Sequence, residues 1–292
     1  MFSKINKFFQ AFKAIVKNPW LLNHVLEDDV VWENRIKKIL NDAKLPIMPQ
    51  LGLRSLSWHE LVSEDSRELN IYAILDGGSL PTDLMLLKSL ASKIPHCDYF
   101  EIGTWRGESA VNVAETAESV TTLNLSAQQM QEMGWDKKYI DLHGFFSKPS
   151  SKKDAFVAFK HSPIFHLDGN TAKFDFAGLN KKYDLIFIDG DHHFEMVKND
   201  TIRVMSHLVH DKTIVVWHDY AHSPEKARLE VMAGIFEGLS INQLNQVYHV
   251  QHTLCAIYLP DYWLKEWGLQ VHEIIQQPHQ PEHVFSVSVK AD

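Results

Sequence analysis

Leu185-Ile186-Phe187-Ile188-Asp189-Gly190-Asp191-His192-His193 is the stretch on which the reading of this chain turns. Four successive apolar residues suit a strand buried on both faces, as in a parallel sheet. The polar run marks that strand's carboxyl end. Phe194, Val197, Val204 and Leu208 then recur at helical spacing. Outward from here the same rhythm repeats. Asp76-Gly77-Gly78 is a turn, and Pro81 and Asp83 suit the first turn of a helix through Leu84, Leu87 and Leu90. Strands are predicted over 99–102, 120–125, 164–167 and 213–217, and a helix over 109–118. Ser223-Pro224-Glu225 reads as N-cap, N1 and first-turn acid of a further helix. Strands over 246–250 and 254–259 close the series. Such alternation predicts an α/β fold, an open and mostly parallel sheet with helices on both faces.

Composition agrees with a globular domain. The 292 residues are 45% apolar and 23% charged, which excludes disordered and collagen-like chains. The net charge of −8 argues against a dedicated nucleic-acid binder. Cys97 and Cys255 stand far apart, so neither a disulfide scaffold nor a thiolate zinc site is expected. No apolar run reaches the roughly 18–20 residues that span a bilayer. The basic first residues lack a signal-peptide cleavage site, and the expected location is the cytoplasm.

Residues 1–78 are read as a helical extension and 79–292 as the main domain, with a further strand candidate over 284–289. In the extension Phe2, Ile5, Phe9, Phe12 and Val16 form an apolar stripe opposite Lys4, Lys7, Lys13 and Lys17. A helix packed on its own domain, or on a second copy in a homodimer, is preferred to one lying on a membrane surface.

In open parallel sheets the ligand lies beyond the carboxyl ends of the strands. The first strand of the series runs into Glu101-Ile102-Gly103-Thr104-Trp105-Arg106-Gly107-Glu108-Ser109. Gly103 and Gly107 allow a sharp turn and a close approach. The following helix start suits a carboxylate and Glu101 an ammonium. The spacing is neither G-x-G-x-x-G nor a P-loop. A zwitterion such as the methionine part of S-adenosylmethionine fits both ends; a tight turn without ligand is the plainer alternative.

Asp189-Gly190-Asp191-His192-His193 and His218-Asp219-Tyr220 end two further buried strands and converge on the same edge. Carboxylates gathered there repel one another, and a bound cation resolves this. Asp189 and Asp219 offer oxygen ligands suited to Mg²⁺, while His218 would admit Mn²⁺ or Fe²⁺. Asp191 or His192 is the candidate general base. Asp191, just ahead of a helix, is also the residue most easily explained as a cap.

These residues together resemble class I S-adenosylmethionine-dependent methyltransferases, over roughly residues 80–260. The nearest group has a first motif "EIGtxxGxSa", here Glu101 to Ala110, and a fourth motif "FIDGDHxYexVxxD", here Phe187 to Asp200. Trp217-His218-Asp219-Tyr220 matches its "hDy". The resemblance implies a Rossmann-like seven-stranded, mostly parallel sheet whose last strand is antiparallel. It implies cofactor contacts from Glu101, Gly103, Thr104, Gly107 and Ser109. The fourth motif is similar to that of sugar O-methyltransferases, which implies Asp189 and Asp219 as ligands of a divalent metal and Asp191 as base. Those enzymes usually carry Asp at the position of His218. Asn124 replaces the acid expected at the ribose. Asn170 replaces another, for which Asp168 is the nearby substitute. Methyl transfer from S-adenosylmethionine to a small-molecule hydroxyl, on a sugar or glycoside, is the expected function, with residues 130–162 covering the acceptor. A catalytically weak or silent binding module of the same fold, and a metal-dependent oxygenase or hydrolase, are the alternatives.

Overall fold

The computed structural model describes residues 13, 16, 29–46, 51–70, 78–143, 164–224, 226–273 and 288–290. Most of the N-terminal stripe, Asp76 and Gly77, all of 144–162 and 284–287 lie outside the described residues.

The strands are β1 (Ser55–Leu56), β2 (Glu68–Asn70), β3 (Asp98–Ile102), β4 (Ser119–Asn124), β5 (Ile164–Asp168), β6 (Leu185–Ile188), β7 (Ile214–Trp217), β8 (Ala221–Ser223), β9 (Lys226–Ala227), β10 (Val247–Val250), β11 (Ala256–Tyr258), β12 (Val271–His272) and β13 (Ser288–Lys290). The helices that matter here are α1 (Asp29–Asp42), α2 (Pro81–Lys93), α3 (Glu108–Val113), α4 (Phe194–His207) and α5 (Leu229–Gly238).

The main sheet has the order β12-β1-β10-β11-β7-β6-β3-β4-β5. The five strands from β7 to β5 are parallel, and β11 is antiparallel to both β7 and β10. All seven expected strands are present, and the short β1 and β12 extend the edge. This is a Rossmann-like α/β sheet. β13 pairs with β2 outside the main sheet, and of the strand predicted over 284–289 only Ser288 and Val289 are described.

Each central strand is buried on both faces because alternate side chains enter two separate cores. Tyr99, Leu185, Phe187 and Val216 pack with Leu84 and Leu87 of α2 and with Ala110 and Val113 of α3. Phe100, Ile186, Ile188 and Val215 pack with Val197 and Val204 of α4 and with Val231 and Ile235 of α5. At roughly 1.5–3 kcal/mol for each large apolar side chain fully buried, these two layers dominate the stability of the sheet.

The described residues before 78 join this body through both cores. Leu56 and Trp58 are fully buried in the first core. Helix α1 buries Ile36, and its Arg35 binds Glu237 of α5 and covers the Phe194 ring at 3.9 Å. One expectation fails. Ser223 and Pro224 do not start a helix: Ser223 ends β8, which pairs with β9, and α5 begins at Leu229, while Glu225 lies outside the described residues. Proline and serine favour tight turns as much as helix starts, and here the turn prevails.

Candidate active site

The hydrogen-bond ladder of the parallel strands runs one residue past their ends. Gly103 N–H donates to Leu123 O (2.9 Å), Asp189 N–H to Ile102 O (2.8 Å) and His218 N–H to Ile188 O (3.0 Å). Gly103, Asp189 and His218 therefore stand side by side on neighbouring strand tips. Gly103 has φ +92, and a Cβ there would lie 1.8 Å from the Asp189 carbonyl oxygen, so only glycine fits. Gly107 (φ +84) is the N-cap of α3.

A cavity of about 460 Å³ opens above this edge, a size suited to a small ligand. Of the predicted residues, Gly103, Thr104, Ser109, Asn124, Asn170, Asp189, Asp191, His192, His218 and Asp219 line it. Leu125, Met130, Met133 and Trp135 add an apolar wall.

Glu101 lies behind the lining, fully buried. Its Oε2 accepts hydrogen bonds from Tyr99 Oη (2.7 Å) and Ser109 Oγ (2.5 Å), while Oε1 has no partner. Burial pushes its carboxyl up to about 8, against the pull of those two hydroxyls. The buried Thr104 Oγ1, at the same turn, is also unpartnered. An unpartnered carboxyl oxygen behind the lining and an unpartnered hydroxyl within it fit a ligand that brings an ammonium group.

Two predicted cofactor contacts sit elsewhere. Gly107 shapes the turn without lining the cavity. Asp168 ends the edge strand β5 with a half-exposed side chain 3.5 Å from His166 Nε2 and is not among the residues that line the cavity. The Asn170 Oδ1 accepts the Ala172 N–H (2.9 Å), so it is engaged in its own turn.

On the acidic rim, one ligand atom each from Asp189, His218 and Asp219 lies within 4.8 Å of the others. His218 Nδ1 is 3.0 Å from Asp189 Oδ1 and 3.7 Å from Asp219 Oδ1. Burial opposes charge on His218, but Asp189, Asp219 and Asp83 together raise its pKa well above the usual value. Burial also raises the Asp189 carboxyl, with His218 pulling the other way. In Asp219 the attraction of His218, His192 and Arg228 outweighs burial, and its pKa is lowered. The donor set of two carboxylates and one imidazole fits a divalent cation.

Asp191 accepts from the backbone N–H of His193 (2.9 Å) and lies 2.5 Å from its Nδ1. His192 is half-exposed, with Nδ1 3.6 Å from Asp219 Oδ2. Burial and the nearby Arg228 lower its pKa, which favours the neutral ring.

Two carboxylates escaped the prediction. Asp83, read only as a first-turn acid, does cap α2 by accepting the Leu80 N–H (2.7 Å), yet it also lies 3.2 Å from His218 Nε2. Asp200, the last residue of the quoted fourth motif, is buried in the cavity wall and pushed up to about 6 by burial.

Among solved structures, the O-methyltransferase TomG from Streptomyces achromogenes, involved in tomaymycin synthesis, is 13% identical, covering 78% of this chain and 89% of that one at a TM-score of 0.38. TrmN from Thermus thermophilus is 15% identical, covering 58% and 44% at 0.38. An amino pentose methyltransferase from Micromonospora echinaspora is 12% identical, covering 49% and 51% at 0.31. The chain spans about half the length of the first solved structures it matches. No curated protein matches it, and no helix among the described residues is long and apolar enough to cross a membrane. Residues 100–220, which run from the Glu101 turn through the Asp189–His218–Asp219 rim, match the family model described as a methyltransferase domain.

Proposed function

We propose that the chain moves a methyl group from S-adenosylmethionine to a hydroxyl of a small molecule, on a sugar or glycoside. The observation that carries this reading is the unpartnered, fully buried Glu101 Oε1 just before the Gly103 turn, behind the lining of a cavity whose wall includes the acidic rim. An ammonium group satisfies Glu101 and removes the cost of burying its charge. Asn124, at the tip of β4, is placed to accept ribose hydroxyls, and Met130, Met133 and Trp135 offer an apolar surface to a purine ring. His192 is the better base. Its neutral form is favoured and it lines the cavity, whereas Asp191 is held by His193.

The transfer is an in-line displacement. The acceptor oxygen forms a bond to the methyl carbon while the carbon–sulfur bond breaks, and the sulfur keeps the electron pair. The hydroxyl proton passes to His192. The protein contributes alignment and deprotonation. Asp189, His218 and Asp219 would hold a divalent cation, which supplies charge to steady the acceptor oxygen when bound.

Calorimetry with S-adenosylmethionine, followed by mass spectrometry of a panel of sugars and glycosides, tests the proposal. A bound donor and a mass gain of one methylene on an acceptor are expected. No donor binding overturns it. Tight donor binding without transfer to any acceptor favours the silent binding module, a reading that the engaged Asn170 oxygen motivates.

A further inference from the structure

Both ring nitrogens of His218 are committed, and to different sides. Nε2 faces inward to Asp83 Oδ2 at 3.2 Å, and Nδ1 faces the rim carboxylates. Asp83 is completely buried and cannot turn away. Its Oδ2 also accepts the Leu80 N–H at 2.7 Å, and its Oδ1 accepts the Leu254 N–H at 2.9 Å, with Cys255 Sγ at 3.6 Å. Every group around this carboxylate is a donor. It therefore requires a proton on His218 Nε2. With that proton held inward, Nδ1 is the ring nitrogen turned to Asp189 and Asp219, and a cation bound there takes the place of its proton.

The distances suit that use. Ligand atoms about 2.1 Å from a common ion lie roughly 3.0 Å apart at right angles and 3.7 Å apart at a wider angle, the two separations found from Nδ1 to Asp189 and Asp219. A ligand histidine ordinarily has a carboxylate or carbonyl behind it that fixes its tautomer.

We infer that Asp83 is a positioning residue that turns His218 into a nitrogen ligand, so that the rim selects a first-row transition ion such as Co²⁺ or Mn²⁺ over Mg²⁺. The inference rests on the reading of the rim as a cation site. An imidazole nitrogen bonds to such ions and contributes little to Mg²⁺, which prefers oxygen. Asp83 touches neither donor nor acceptor in this arrangement; it acts through His218.

The test uses the full chain, stripped of metal and titrated separately with Co²⁺, Mn²⁺ and Mg²⁺. Calorimetry gives affinities, and the visible absorption of Co²⁺ reports nitrogen ligation. One ion per chain is expected, with Co²⁺ at least roughly a hundredfold tighter than Mg²⁺. Asp83→Asn places an amide donor against Nε2 and forces the ring proton onto Nδ1. It should weaken Co²⁺ about 10–100-fold, shift the Co²⁺ spectrum and leave Mg²⁺ unchanged. His218→Asp should bring Mg²⁺ within about tenfold of Co²⁺, and this comparison decides if Asp83→Asn fails to fold. Three results overturn the inference: Mg²⁺ within tenfold of Co²⁺ in the natural chain, no ion bound at all, or a folded Asp83→Asn with unchanged Co²⁺ affinity. S-adenosylmethionine binding on the same samples separates the two readings, since intact donor binding without metal preference sinks only this one.

Discussion

Glu101→Gln puts the proposed ammonium site to a quantitative test. The Glu101 carboxyl is raised from its usual 4.5 to about 8, burial being the first cause. Between those two values the folded chain keeps a proton that the unfolded chain has released. Stability from this group is complete below the unfolded value and is lost as pH rises through the folded one. At 1.36 kcal/mol per unit, a shift of this size amounts to about 5 kcal/mol, of which roughly 3–4 kcal/mol falls between pH 5 and pH 8. Glutamine keeps an oxygen for Tyr99 and Ser109 but has no proton to lose. Urea denaturation of both proteins at several pH values isolates the effect, because every other titrating group is common to the two. The natural chain should lose about 3–4 kcal/mol more than the variant between pH 5 and pH 8. The donor supplies the second half of the test. An ammonium bound to Glu101 expels the proton, so calorimetry near pH 6.5 in buffers of different ionisation enthalpy should show about one proton released per donor bound. Stability curves parallel within about 1 kcal/mol, or a glutamine variant that binds the donor as tightly as the natural chain, would refute the reasoning.

Gly103→Ala drives a methyl group to 1.8 Å from the Asp189 carbonyl oxygen at a backbone φ of +92, and should cost about 3 kcal/mol or more in urea denaturation; a loss under about 1 kcal/mol would mean that the two tips are not locked together. His192→Asn should lower kcat by roughly 10²–10⁴ while donor affinity holds, whereas Asp191→Asn should act far less; equal losses would return the base role to Asp191. Asp219 has φ +56, a left-handed backbone that asparagine tolerates and β-branched residues do not. Asp219→Asn should therefore unfold within about 0.5 kcal/mol of the natural chain yet bind Co²⁺ more weakly, and Asp219→Val should lose about 1–3 kcal/mol of stability.

What could be read from the chain follows from the range over which each signal acts. The run Leu185 to Ile188 announces a strand buried on both faces because its four side chains alternate between two cores, and the polar residues behind it mark the functional edge without further information. Registration does the rest. Ile102 pairs with Ile188 and Ile188 with Trp217, so Gly103, Asp189 and His218 must share one rim whatever their distance in sequence. A signal with two local meanings misled. Ser223-Pro224 serves a hairpin turn as well as a helix start. The role of Asp83 has no local signature at all. A first-turn acid looks the same whether it caps only Leu80 or also holds a histidine 135 residues away. Topology can bring carboxylates and imidazoles to one edge, but which nitrogen of His218 carries a proton depends on the buried side of that edge. There α2 delivers a carboxylate already saturated by the N–H groups of Leu80 and Leu254. The chemistry of the rim is thus set from behind, by a residue that the cavity never touches.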